Sequence, residues 1–149
     1  IPPSSKVLSI YKNNIKSDSK DEASNGFYID LAKWGTEMNS SSNGVINLIN
    51  IRTESIDYVS QFKAMMNNNN YTLIIAEGYF EWKSEGKNKG KSPFFIRRKS
   101  KKIIYLIGLY EYKNSEKRLL ILTQKSSTVL EKIHDRMPLF VDLSDEKFK

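Results

Sequence analysis

Two short motifs, far apart in the chain, hold the residues best suited to moving a proton. Ala76-Glu77-Gly78-Tyr79-Phe80-Glu81-Trp82-Lys83 carries a carboxylate out to the end of an apolar run, and Ile133-His134-Asp135-Arg136-Met137-Pro138 holds the only histidine among 149 residues. No cysteine occurs in the sequence. Glu81 and His134 are therefore the natural candidates for proton transfer near neutral pH, since imidazole titrates closest to it. Each also has an ordinary alternative. A lone histidine is commonly a surface or hydrogen-bonded structural residue, and Glu81 would equally serve a solvent-facing cross-strand pair with a lysine.

A third segment, Asn50-Ile51-Arg52-Thr53-Glu54-Ser55, lies where an apolar strand hands over to a predicted helix. The two-residue period of a strand sets Asn50 and Arg52 on one face, offering an amide and a guanidinium together. The planar fork of arginine suits phosphate. The alternative here is a cap and ion-pair network among Arg52, Thr53 and Glu54.

The elements that must position these residues read mainly as strands. A first strand follows Pro2-Pro3 and runs to Ile10, and the polar stretch Lys12 to Asn25 reads as a surface loop. A second polar loop, Asn39 to Gly44, separates the Trp34-Gly35 turn from a buried strand over Val45 to Ile51. Thr53 is placed to cap a helix running through Phe62 to Met66, ended by the asparagines at 67–70. Thr72 to Trp82 reads as one long strand, in which Glu77, Tyr79 and Glu81 share a face. Gly78 inside it signals a bulge or a close approach by another backbone or a ligand. A Gly/Lys hairpin connection over Ser84 to Ser92 leads to strands at Pro93–Arg98, Ile103–Tyr112 and Lys117–Thr123. Ser126 or Ser127 caps a predicted short helix reaching His134 and stopped by Pro138. A strand over Leu139–Leu143 and a helix starting at Ser144 complete the reading. With no internal repeat, the expected class is α+β: a mainly antiparallel, barrel-like sheet with a few flanking helices.

Composition bounds the function. The length fits a single domain spanning 1–149. No window approaches the roughly 18 apolar residues of a membrane span. One histidine and no cysteine argue against a zinc site, and no cofactor is called for. The net charge of +7 is local. Lys83 to Lys102 holds nine basic residues against Glu85 alone, and the rest of the chain nearly balances. Such a patch suits a phosphate backbone; a solvated hairpin tip is the plainer reading.

Taken in order, Asn-x-Arg-x-Glu from Asn50, Glu-Gly-Tyr-Phe-Glu-Trp-Lys from Glu77, Leu122-Thr123 and Ile-His-Asp-Arg-Met-Pro from Ile133 resemble the SOS response-associated peptidase (SRAP) domain. Trp34-Gly35, Pro93-Phe94-Phe95-Ile96 and Gly108-Leu109-Tyr110 fall in the matching order. The resemblance covers nearly the whole chain. It implies an abasic-site processing protein that binds single-stranded DNA as a monomer. Such a protein removes its own initiator methionine and traps the ring-opened sugar aldehyde as a thiazolidine, through an N-terminal cysteine. It further implies that Glu81 shuttles protons to and from the terminal amine, that His134 assists sugar ring opening, and that Asn50 holds the amine and opened sugar. Arg52 and Arg136 would bind flanking phosphates with Thr123 nearby. Trp82 and Trp34 would stack on or wedge beside bases, although Trp34 also fits plain core. Proteolysis of other proteins is not implied.

One departure matters. The implied nucleophile is missing from these 149 residues, so the expectation is a chain truncated at both ends, or else a DNA-binding module without chemistry. The polar insertions, rich in Asn and Lys, suggest an AT-rich eukaryotic genome. Localisation is expected to be intracellular, and nuclear if the source is eukaryotic.

Overall fold

Alternating apolar runs become strands whose pairing closes a barrel. A computed structural model of the chain describes residues 2–12, 26–40, 44–86 and 90–142. β1 (Lys6–Lys12) pairs antiparallel with β2 (Phe27–Trp34) on one edge and with β6 (Tyr71–Ala76) on the other. β6 pairs with β9 (Ile104–Lys113), and β9 with β10 (Glu116–Lys125), again antiparallel. A parallel contact between β10 and β2, with Arg118 opposite Lys33 and Leu119 opposite Trp34, completes the ring. Closure removes the open edges that a five-stranded sheet would otherwise present.

Alternate residues of these strands point inward. Val7, Tyr11, Ala32, Ile74, Leu106, Tyr110, Leu119 and Ile121 fill the barrel. The outward residues Leu109, Leu120 and Leu122 join Ile51 in a second core, roofed by α1 (Ser60–Asn67). Phe62 and Met65, three residues apart and so on one helical face, are the buried side chains of that helix. The helix ends in the asparagine run, where Asn69 adopts φ of +55°, a left-handed conformation that asparagine tolerates.

The architecture is therefore the mainly antiparallel, barrel-like α+β one expected, with α1 and two 3-10 turns as its helical parts among the described residues. Several local readings change. Thr72 to Trp82 is two strands: β6 stops at Ala76, and β7 (Tyr79–Ser84) pairs only with β8 (Lys91–Ile96), as a separate ribbon. The break falls at Gly78, where a Cβ would lie 2.3 Å from the carbonyl oxygen of Ile96. Val45 to Ile51 is likewise divided. β3 (Thr36–Ser40) and β4 (Gly44–Leu48) form their own hairpin, with Val45 65% exposed, and only Ile51 of the segment is buried. The chain leaves that hairpin at Ile49, whose carbonyl accepts from the Trp34 indole and the Ile121 amide, and enters β5 (Asn50–Arg52) against β10.

Thr53 caps no helix. It opens a 3-10 turn, Thr53–Ser55, and its hydroxyl donates instead to the carbonyl of Thr123 at 3.2 Å. The helix expected to reach His134 is one 3-10 turn, Leu130–Lys132, without a side-chain cap. The chain is then drawn into β11 (Arg136–Pro138), which pairs with β10. β12 (Phe140–Val141) pairs with β9. Most of the loop expected over Lys12 to Asn25, and the helix expected from Ser144, lie outside the described residues.

Candidate functional site

The C-terminal end of β10 gathers the motifs. Thr123 is in register with Arg52 of β5 on one side and Pro138 of β11 on the other, while Lys125 faces Arg136. Residues opposite each other share a face, and alternate residues return to it. Asn50, Arg52, Thr123 and Arg136 therefore lie on one face, continuing the inward row of β10 at the barrel mouth. Asn50 and Arg52 are exposed and Ile51 between them is buried, so the alternation read from the sequence is the one observed.

Arg136 is held fast. Its guanidinium spans both oxygens of Glu54 at 2.8 and 2.9 Å and also donates to the Thr123 carbonyl. A bidentate arginine favours the ionised carboxylate, and it lowers the Glu54 pKa to about 2. Thr123 donates its own hydroxyl to the Ile51 carbonyl at 3.1 Å. Glu54 thus pairs with Arg136, across the strands, and not with neighbouring Arg52. Arg52 makes no ion pair or side-chain hydrogen bond among the described residues.

Glu81 and His134, from separate motifs, meet beside this face. The Glu81 carboxylate lies 3.9 Å from Nδ1 of His134. That nitrogen receives the Arg136 amide at 3.1 Å and lies 3.3 Å from the Asp135 carboxylate. The Arg136 carbonyl oxygen lies 3.2 Å from the same nitrogen, so Nδ1 accepts from the amide in one tautomer and donates to the carbonyl in the other. Burial raises the Glu81 pKa above its ordinary 4.5; the nearby imidazole opposes the shift and Asp135 adds to it. A half-buried carboxyl so shifted, against an imidazole, has the chemistry to exchange a proton with it.

β7 carries Glu81 by alternation. Tyr79, Glu81 and Lys83 are the less exposed row, and Phe80, Trp82 and Ser84 the exposed one. Trp82 is therefore on the face opposite Glu81. Trp34 is partly buried, packed on the barrel core with its indole N–H committed to Ile49. Two residues join the site that sequence reasoning assigned no role in it. Tyr79 shares the Glu81 row, and its buried hydroxyl has no hydrogen-bond partner among the described residues; burial, with the Glu81 charge, pushes it up to about 12. Glu54 is the other, and no local signal marked its long-range partner. Among the described residues no group of three or more His, Asp or Glu side chains is placed to hold a metal ion.

Comparison with known proteins identifies the family. The family model described as SOS response associated peptidase (SRAP) matches residues 1–148. The chain belongs to the SRAP family. It is 36% identical over 107 residues to the Bacillus subtilis abasic site processing protein YobE, covering 68% of this chain and 47% of that protein. It is 34% identical over 96 residues to the Escherichia coli abasic site processing protein YedK, covering 62% of this chain and 42% of that one. The SRAP chain thus spans about half the length of these relatives. Among solved structures, it superposes on a phage-related protein of Bordetella bronchiseptica with a TM-score of 0.68 at 21% identity, covering 95% of this chain and 63% of that one. A second Bordetella bronchiseptica protein gives 0.72 at 15% identity, covering 95% and 71%. These two likenesses show the fold alone.

Proposed function

We propose that this SRAP chain is the DNA-facing part of an abasic-site processing protein that engages single-stranded DNA and reacts covalently with abasic sites. The observation that carries the reading is the Glu81–His134 pair, set against a face bearing Asn50 and the uncommitted guanidinium of Arg52.

In this reaction an N-terminal amine adds to the open-chain aldehyde of an abasic sugar, and loss of water gives a Schiff base. A neighbouring thiolate attacks the imine carbon and, with a proton taken up at nitrogen, closes a thiazolidine that resists hydrolysis. The raised pKa of Glu81 suits it to accept a proton from the amine and return one to the departing hydroxyl. His134 donates toward the sugar oxygen as the ring opens. Asn50 orients the amine and the opened sugar. Arg52 binds a flanking phosphate, whereas Arg136 acts first through Glu54 and Thr123, holding the rim on which Arg52 sits. The thiol must come from polypeptide outside these 149 residues, which contain no cysteine. A second reading keeps the DNA binding without the chemistry.

The deciding experiment uses the protein from its natural start, mixed with a single strand carrying one abasic site and run on a denaturing gel. A covalent band specific to the abasic strand supports the first reading. Non-covalent binding without that band leaves the second.

A further inference from the structure

The β7–β8 ribbon turns its Glu81 row toward His134 and leaves its other row in solvent. Strand pairing sets Phe80 opposite Phe95, Trp82 opposite Pro93 and Ser84 opposite Lys91 on that outer face. Phe80 is 55% exposed, Trp82 51% and Phe95 45%. The rings form a connected surface, with Phe80 4.9 Å from Phe95 and 6.4 Å from Trp82 between centroids. Arg97 closes one end, its Cβ only 3.0 Å from where a Gly78 side chain would start. Lys91 closes the other. Neither cation forms an ion pair among the described residues. From Arg97 to Lys91 the row is about 20 Å long at the rise of an extended strand.

We propose that this outer face is a base-stacking platform for undamaged nucleotides flanking the reacting site, with Phe80 and Phe95 as its centre. The inference rests on the single-stranded DNA reading above and names a second contact for the same strand. Exposed rings stack on bases of any sequence, and cations beside them follow the phosphates. A second copy of the chain fits this face poorly. Stacked parallel or antiparallel, it would bring Arg97 or Lys91 against another cation, with no acid in the row to offset it. The excess of basic residues between Lys83 and Lys102 favours a polyanion over a neutral peptide.

The test measures fluorescence anisotropy of an undamaged, fluorescein-labelled oligothymidylate of about 15 nucleotides with the chain as it stands, a length within the range that one small binding domain covers. Phe80→Ala with Phe95→Ala should weaken binding about tenfold or more, and Phe80→Tyr with Phe95→Tyr should restore it, since either ring stacks. Arg97→Glu with Lys91→Glu, which leaves the rings intact, should weaken binding and flatten its salt dependence. Unchanged affinity in both the alanine and charge-reversal variants overturns the proposal. So does an equal loss in the tyrosine variant, or sedimentation in which wild-type dimers become monomers when the phenylalanines are removed. If the wild-type chain itself has no affinity for the strand, the DNA reading falls too. Wild-type binding that ignores all these substitutions sinks only the platform.

Discussion

Nδ1 of His134 lies 3.1 Å from the backbone amide of Arg136 and 3.2 Å from its carbonyl oxygen, so β11 positions the chain's only imidazole. The same residue grips Glu54 with its side chain. One arginine therefore ties the Glu81–His134 pair to the β5 rim.

Replacing Glu81 by Gln in the protein from its natural start should slow formation of the abasic-site crosslink by about 100-fold, within the range of a lost general base. Affinity for undamaged strand should stay within about twofold. Stopped-time denaturing gels and anisotropy measure the two quantities. Equal loss of both would make Glu81 structural.

Glu81 also sets a pH signature in stability. Its folded pKa lies above 4.5, so the contribution of the protonated form is complete below 4.5 and fades as pH rises through the raised value. The melting temperature of Glu81→Gln, relative to wild type, should therefore be higher at about pH 7.5 than at about pH 4.

For Glu54 the sign is reversed. Its pKa is held down to about 2 by Arg136, so its stabilisation is present above 4.5 and is lost as pH falls toward 2. Glu54→Gln should lower the melting temperature at about pH 7 and match wild type near pH 2.

Arg52→Glu should weaken binding of single-stranded DNA and reduce its log–log salt slope by about one unit, as expected when a phosphate contact is removed. Thermal stability should not move, because Arg52 carries no side-chain hydrogen bond among the described residues. An unchanged slope removes it from the path of the strand.

Lys117 is a buried test of the barrel's other mouth. Its ammonium lies 4.2 Å from the centre of the Tyr11 ring and 4.9 Å from that of Tyr28, and it pairs with Asp30. Lys117→Ala should destabilise the fold by about 1–2 kcal/mol through lost ring contacts, measured by urea titration, without changing crosslinking by more than its effect on folding.

Much of the site was legible because alternation is a local rule. Asn50 and Arg52 share a face and Glu81 sits with Tyr79, as a period of two requires. Four of the five barrel strands, β1, β6, β9 and β10, likewise followed from their apolar runs, whereas β2, with Asp30 and Lys33 breaking its apolar pattern, was not foreseen. What escaped was set by partners distant in sequence. The Ile96 carbonyl over Gly78 splits a strand that is continuous in residue pattern. Glu54 reads as the neighbour of Arg52 until β5 and β11 are both laid against β10. Lys117 opens a predicted strand, and no local signal marks it for the burial among tyrosines that closure of the ring imposes. Thr53 and the serines at 126 and 127 had the chemistry of helix caps, but the Thr53 hydroxyl goes to the Thr123 carbonyl and the Ser126 amide to the Asp135 carbonyl, both partners distant in sequence.

Because β10 is the common partner of β2, β5, β9 and β11, the rim is defined by hydrogen-bond ladders and not by the path that joins them. Connecting segments can lengthen, or drift in composition, without shifting Arg52 or Arg136 by a residue. A one-residue slip of β10 would instead turn its whole inward row outward, taking Thr123 from the mouth and Lys117 from its cage together. Both ends of the barrel thus depend on the alignment of a single strand.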